Sequence, residues 1–143
     1  MHAIRHVIRP HRLVTAPPTA SVLEVARVMT DARVGAIPIV EGERIVGIFS
    51  ERDLMTRVLV EGRDAQRTPV TTVMTREVLT AAPEDTRSEC LERMRDARCR
   101  HLPVLEGGRL IAMLSMRDLL RDEIEEQHEE IVGLRAYLHQ TPI

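Results

Sequence analysis

A shift of 65 residues lays this chain on itself: residues 14–54 fall on 79–119 without a gap, and 16 of the 41 aligned positions are identical. Thr15, Pro18, Glu24, Met29, Asp31, Ala32, Arg33 and Pro38 meet Thr80, Pro83, Glu89, Met94, Asp96, Ala97, Arg98 and Pro103. Further on, Glu41, Gly42, Arg44, Ser50, Arg52, Asp53 and Leu54 meet Glu106, Gly107, Arg109, Ser115, Arg117, Asp118 and Leu119. A gapless register of that length marks a duplicated unit. Neither copy is large enough to bury a sheet alone, so the two must share one body.

Each copy reads as the same supersecondary unit. Residues 13–15 predict a short strand, stopped by Pro17 and Pro18. Ser21-x-x-Glu24 is a capping box that opens a helix with Val22, Val25, Ala26 and Met29 on one face; Thr86-x-x-Glu89 repeats it with Cys90, Leu91 and Met94. Residues 36–40 and 44–49 are β-branched runs joined by Glu41-Gly42, a hairpin pattern, and 101–105 with 109–114 form its counterpart. A second helix starts at Ser50 and again at Ser115. The expected class is α+β, with tandem β-α-β-β-α repeats packed sheet to sheet about a pseudo-two-fold axis. Residues 1–60 hold the first repeat with an arm rich in His and Arg, 61–72 a polar linker, 73–122 the second repeat, and 123–143 a C-terminal helix and tail. In that helix Leu120, Ile124, Gln127, Ile131, Leu134 and Leu138 alternate at spacings of four and three, a heptad seam suited to a helix pair or to folding back on its own domain.

Composition removes several functions. One Phe, one Tyr and no Trp leave no aromatic platform for single-stranded nucleic acid, and a net charge of -2 supplies no basic field for DNA or RNA. The chain has no Lys, which excludes Schiff-base chemistry and a Lys-bearing phosphate loop. Two cysteines, Cys90 and Cys99, make neither a zinc site nor a disulfide framework, and both align with valines, as small buried residues would. His2, His6 and His11 lie on an arm expected to be disordered or to bind a partner rather than to hold metal. Neither a signal peptide nor a membrane span is evident, so a cytoplasmic protein is expected. No catalytic constellation emerges, and the chain is not expected to be an enzyme.

Chemistry concentrates where the hairpins end. Gly47-x-x-Ser50-x-x-Asp53 and Ala112-x-x-Ser115-x-x-Asp118 finish a strand and open a helix. A helix N-terminus with a Ser hydroxyl suits an anion, and a carboxylate three residues on suits ribose hydroxyls, with Gly47 removing a side chain from beside the ligand. The same Ser-x-x-Asp spacing is also a capping box that needs no ligand. Both readings stand on spacing alone.

These endings, the strand openings Arg33-Val34-Gly35-Ala36-Ile37-Pro38 and Arg98-Cys99-Arg100-His101-Leu102-Pro103, and the segment Val73-Met74-Thr75 together resemble the CBS domain pair over residues 4–122. The resemblance implies a regulatory module that binds AMP, ADP, ATP, S-adenosylmethionine, NADH or a related adenosyl ligand in clefts between the repeats. It also implies a homodimer and an effector protein. Asp53 and Asp118 would hold ribose, and Ser50 and Ser115 would lie near ribose and phosphate. The clefts would be composite, with Val34 and Gly35 serving the Asp118 cleft and Cys99 and Arg100 the Asp53 cleft. Arg52, Arg100, His101 and Arg117 are the phosphate candidates, Arg being favoured for its forked donors. Gly35-Ala36 against Arg100-His101, and Ala112 in place of Gly, imply unequal clefts. A structural interaction module with vestigial clefts is the alternative.

Overall fold

The computed structural model describes residues 2–140. The first repeat contains α1 (Val22–Ala32), β1 (Ala36–Glu41), β2 (Arg44–Ser50) and α2 (Glu51–Asp53), whose helical run continues as a π-helix over Leu54–Leu59. The second contains α3 (Arg87–Ala97), β3 (His101–Glu106), β4 (Arg109–Ser115) and α4 (Met116–Gln140). Both capping boxes form as the spacing predicts, with Ser21 and Thr86 each accepting from the backbone N–H three residues on. The hairpins match in detail, down to a register shift after Ile39 in one and after Val104 in the other. The two sheets meet along β2 and β4.

The strand expected at residues 13–15 is reduced to a single parallel bridge, Ala16 to Ile39, and Ala81 to Val104 repeats it. The Ala16 N–H donates to the Pro38 carbonyl at 3.3 Å and its carbonyl accepts from Val40 at 2.9 Å. Pairing ends there because Pro17 and Pro18 have no N–H to offer. In the second copy the Ala82 N–H is instead taken by the Asp85 side chain at 2.9 Å.

Two apolar cores form, one per repeat, and each takes in residues that the chain order assigns elsewhere. Val70, Val73 and Met74 pack into the first core beside Val25, Ile37, Ile39 and Phe49. Ile4 packs into the second, beside Cys90, Met94, Leu102 and Leu114. The two insertions are related by the pseudo-two-fold. Ile4–His6 and Val70–Thr72 are both 3₁₀ turns. The Ile4 N–H donates to Asp85 O and the Val70 N–H to Ala20 O, both at 2.8 Å. The segment before each repeat thus fills the core of the other. The arm is therefore an ordered part of the fold, not the disordered tail expected from its composition. Its Arg5 guanidinium also pairs with Glu84 and Glu106.

The helix expected to start at Ser115 and the C-terminal helix expected over 123–143 are one element, α4, which runs for 25 residues from Met116. Arg87 clamps its first turns to α3 through Asp122 at 2.8 Å and Glu126 at 2.7 Å, and Leu119 is fully buried. No helix among the described residues is long and apolar enough to cross a membrane.

Candidate functional site

The end of β2, the start of α2 and the entrance of β3 enclose a cavity of about 630 Å³ between the repeats. Ser50, Glu51, Arg52 and Asp53 contribute from the first repeat, and Arg98, Cys99, Arg100 and His101 from the second. The resemblance implies a composite cleft around Asp53, and residues of both repeats line this cavity. Glu77, Val78 and Leu79 complete the wall from the stretch that follows the linker.

Asp53 is the only buried charged residue among those described, at 6% exposure. Its carboxylate accepts from the Ser50 N–H at 3.0 Å, the Ser50 hydroxyl at 3.1 Å and the Thr75 hydroxyl at 3.2 Å. The Arg57 Nε lies 3.7 Å away, and that guanidinium also donates to the carbonyls of Val73 and Met74. Burial of a carboxylate is tolerable only with such partners. The capping reading of Ser50-x-x-Asp53 is therefore realised, and the carboxylate still borders the cavity. Thr75 was missed as a site residue, although the Val73-Met74-Thr75 segment was visible as a motif.

Most of the backbone donors at this helix start have partners within the protein. The Glu51 N–H donates to Gly35 O at 3.0 Å, the Asp53 N–H to the Ser50 hydroxyl at 3.2 Å, and the Ser50 N–H to Asp53. These three backbone donors are already committed within the protein. Arg52 crosses the cleft, its Nη2 donating to Arg98 O at 3.2 Å. Arg98 itself has φ 54, and Arg33 has φ 57 at the matching place. Left-handed backbone costs a non-glycine residue roughly 1–2 kcal/mol, and here it turns the chain from helix into the strand entrance.

Gly47 does not border the cavity. A Cβ there would stand 2.5 Å from Met74 Sδ, so the glycine makes room for the swapped segment in the core rather than for a ligand. Gly35 does line the Asp53 cavity, rather than serving Asp118 as the resemblance implied, and a Cβ on it would lie 3.5 Å from both Glu51 and His101. Val34 packs against the first core.

His101 opens β3 opposite Ser115. Burial holds its imidazole below the usual histidine range, aided by Arg100 and opposed by Asp118 and Glu51. It is neutral at pH 7 and offers one ring N–H. Burial also raises the Cys99 thiol, and raises Cys90 to about 11, so neither is a thiolate at neutral pH. Among the described residues no group of three or more His, Cys, Asp or Glu side chains is placed to hold a metal ion.

The second copy repeats the helix start. Ser115 and Asp118 cap one another at 3.0 and 3.1 Å, and the Met116 N–H donates to Arg100 O at 2.8 Å. Asp118 borders a hollow of about 70 Å³ lined by His6, Val7 and Arg9 of the arm and by Arg121, Asp122 and Glu125 of α4. Arg117 is exposed on the first turn of α4.

The fold and cleft define a tandem-repeat module with a ligand-sized opening between its copies. The CBS domain family model matches residues 4–60 and 70–125, and the chain belongs to that family. It is 34% identical over 123 residues to the mitochondrial CBS domain-containing protein CBSX3 of Arabidopsis thaliana, covering 82% of this chain and 60% of that protein's length. A solved protein with CBS domains from Burkholderia ambifaria superposes with TM-score 0.78 at 35% identity, over 80% of this chain and 85% of that one. CBS domain protein PAE2072 from Pyrobaculum aerophilum, solved in complex with AMP, gives TM-score 0.74 at 29% identity, covering 81% and 88%.

Proposed function

We propose that the chain is a non-catalytic sensor that binds an adenine nucleotide, AMP foremost, in the Asp53 cleft. The observation that carries this reading is the cavity itself, which brings Asp53 and Arg52 of one repeat against Arg98, Arg100 and His101 of the other. Its volume of about 630 Å³ suits a small molecule. Asp53 accepts the ribose hydroxyls, with Thr75 beside it. Arg52 and Arg100 hold phosphate, His101 adds a neutral donor, and the apolar Met55, Val78 and Leu79 flank the base. Three arginines (Arg52, Arg98, Arg100) face three carboxylates (Glu51, Asp53, Glu77) in the lining, a balance that suits one phosphate better than three. The likeness to an AMP-bound relative supports the same choice.

The ligand touches both repeats, so it favours one relative arrangement of the copies and shifts the population toward it. The module works as a homodimer in the cytoplasm and passes that shift to an effector protein. The hollow beside Asp118, of about 70 Å³, is too small for a nucleoside, which supports the Asp53 cleft as the seat.

Thermal unfolding with AMP, ADP, ATP, NADH and S-adenosylmethionine tests the reading. AMP at 100 times its dissociation constant adds about 2.7 kcal/mol of stability. A melting temperature unmoved by millimolar amounts of every adenosyl compound would leave an interaction module in its place.

A further inference from the structure

α4 outruns its own domain. Leu119, Asp122 and Glu126 face α3, but the apolar seam on another side of the helix is open: Leu120 is 45% exposed, Ile124 66%, Ile131 50%, Leu134 61% and Leu138 63%. At 100° per residue the seam is turned roughly 130° from the face that packs on its own chain. From residue 127 to 139 every side chain is exposed, and Gly133 lowers the helix propensity further. A helical stretch of that length is marginal in water without a packing partner.

The charges beside the seam select the partner. With Ile124, Ile131 and Leu138 at a and Leu120, Gln127 and Leu134 at d, the e positions are Arg121, His128 and Arg135, and two of the g positions are Glu123 and Glu130. In a parallel, in-register pair each g residue meets the e residue five positions on in the other helix. Glu123 then meets His128, and Glu130 meets Arg135, twice each by symmetry. An antiparallel pair would set Glu against Glu and Arg against Arg. Gln127, the one polar seam residue, meets its own copy only in the parallel register, which is how a polar core position fixes alignment.

We infer that α4 pairs with α4 of a second copy of this chain as a parallel, in-register two-stranded coiled coil. The inference deepens the homodimer reading by naming its contact and direction, and it is independent of what the cleft binds.

Full-length Leu138→Cys, oxidised with glutathione disulfide, tests the direction. In the parallel pair the two cysteines approach within disulfide reach and a covalent dimer forms, whereas wild type, with only Cys90 and Cys99, gives none. An antiparallel pairing of the same seam holds them roughly 27 Å apart. Sedimentation supplies the second arm: Glu130→Arg weakens the dimer about tenfold and adding Arg135→Glu restores it, because each symmetric pair turns from attraction to repulsion and back. A monomer at 100 times the concentration used for linking would overturn the inference. So would a dimer that neither links through position 138 nor responds to Glu130→Arg. A dimer of that last kind with AMP binding intact would leave the sensor reading standing.

Discussion

Asp53→Asn lowers AMP affinity about 30- to 100-fold while leaving the module folded. The size follows from replacing a charged acceptor for the ribose hydroxyls by a neutral one, since a hydrogen bond to a charged group contributes about 1.5–3 kcal/mol. The fold survives because the amide oxygen still accepts from the Ser50 N–H, which the carboxylate now takes at 3.0 Å. Asp53→Ala is a poorer probe, because losing the cap costs about 0.5–2 kcal/mol and orphans that N–H and the Thr75 hydroxyl. Asp118→Asn is the control, and it changes AMP affinity less than threefold because Asp118 borders only a hollow of about 70 Å³ beside the arm, outside the Asp53 cleft. Calorimetric titration of the three proteins, with denaturation curves alongside, separates binding from stability. If Asp53→Asn bound AMP like wild type, the carboxylate would be a helix cap and nothing more.

The second large effect lies far from the cleft. Ile4→Ala destabilises the protein by about 2–4 kcal/mol, the usual cost of emptying a fully buried aliphatic site. Ile4 is 0% exposed and belongs to the second core, although it lies ten residues ahead of the first repeat. That is a large share of the 5–15 kcal/mol that holds a domain of this size. Val70→Ala, its pseudo-symmetric counterpart in the first core, costs less because valine leaves a smaller cavity. Urea denaturation gives both values. A loss below about 0.5 kcal/mol for Ile4→Ala would mean that the arm is not packed as described.

Comparison of the two copies made most of the fold legible. Ser21/Glu24 with Thr86/Glu89 set the helix starts, and the paired hairpins set the sheets, because these features depend on short-range spacing that survives duplication. The swapped segments escaped for a definite reason. Ile4 aligns with Val70 at an offset of 66, one more than the 65 of the main repeat, so an extra residue in the first connection hides the symmetry. Thr75, Glu77 and Leu79 reach the cleft from the second connection, which follows Val70, and short-range spacing does not show where a connection crosses the site. At the site, Ser50, Asp53, Arg100 and His101 were readable because the repeat isolates them as matched or contrasting pairs. The commitment of the Glu51 N–H to Gly35 was not readable, since it depends on how closely the strand entrance approaches the helix start. Gly47 shows the opposite trap: a glycine near a site, kept open for Met74.

The proposed sensor seats a single nucleotide, at Asp53, in one pseudo-symmetric body. Isothermal titration of AMP into the full-length protein tests this most directly through its stoichiometry. One AMP per chain, removed by Asp53→Asn and kept by Asp118→Asn, is the predicted result. Two equivalent sites per chain, or no binding at millimolar AMP, would contradict it.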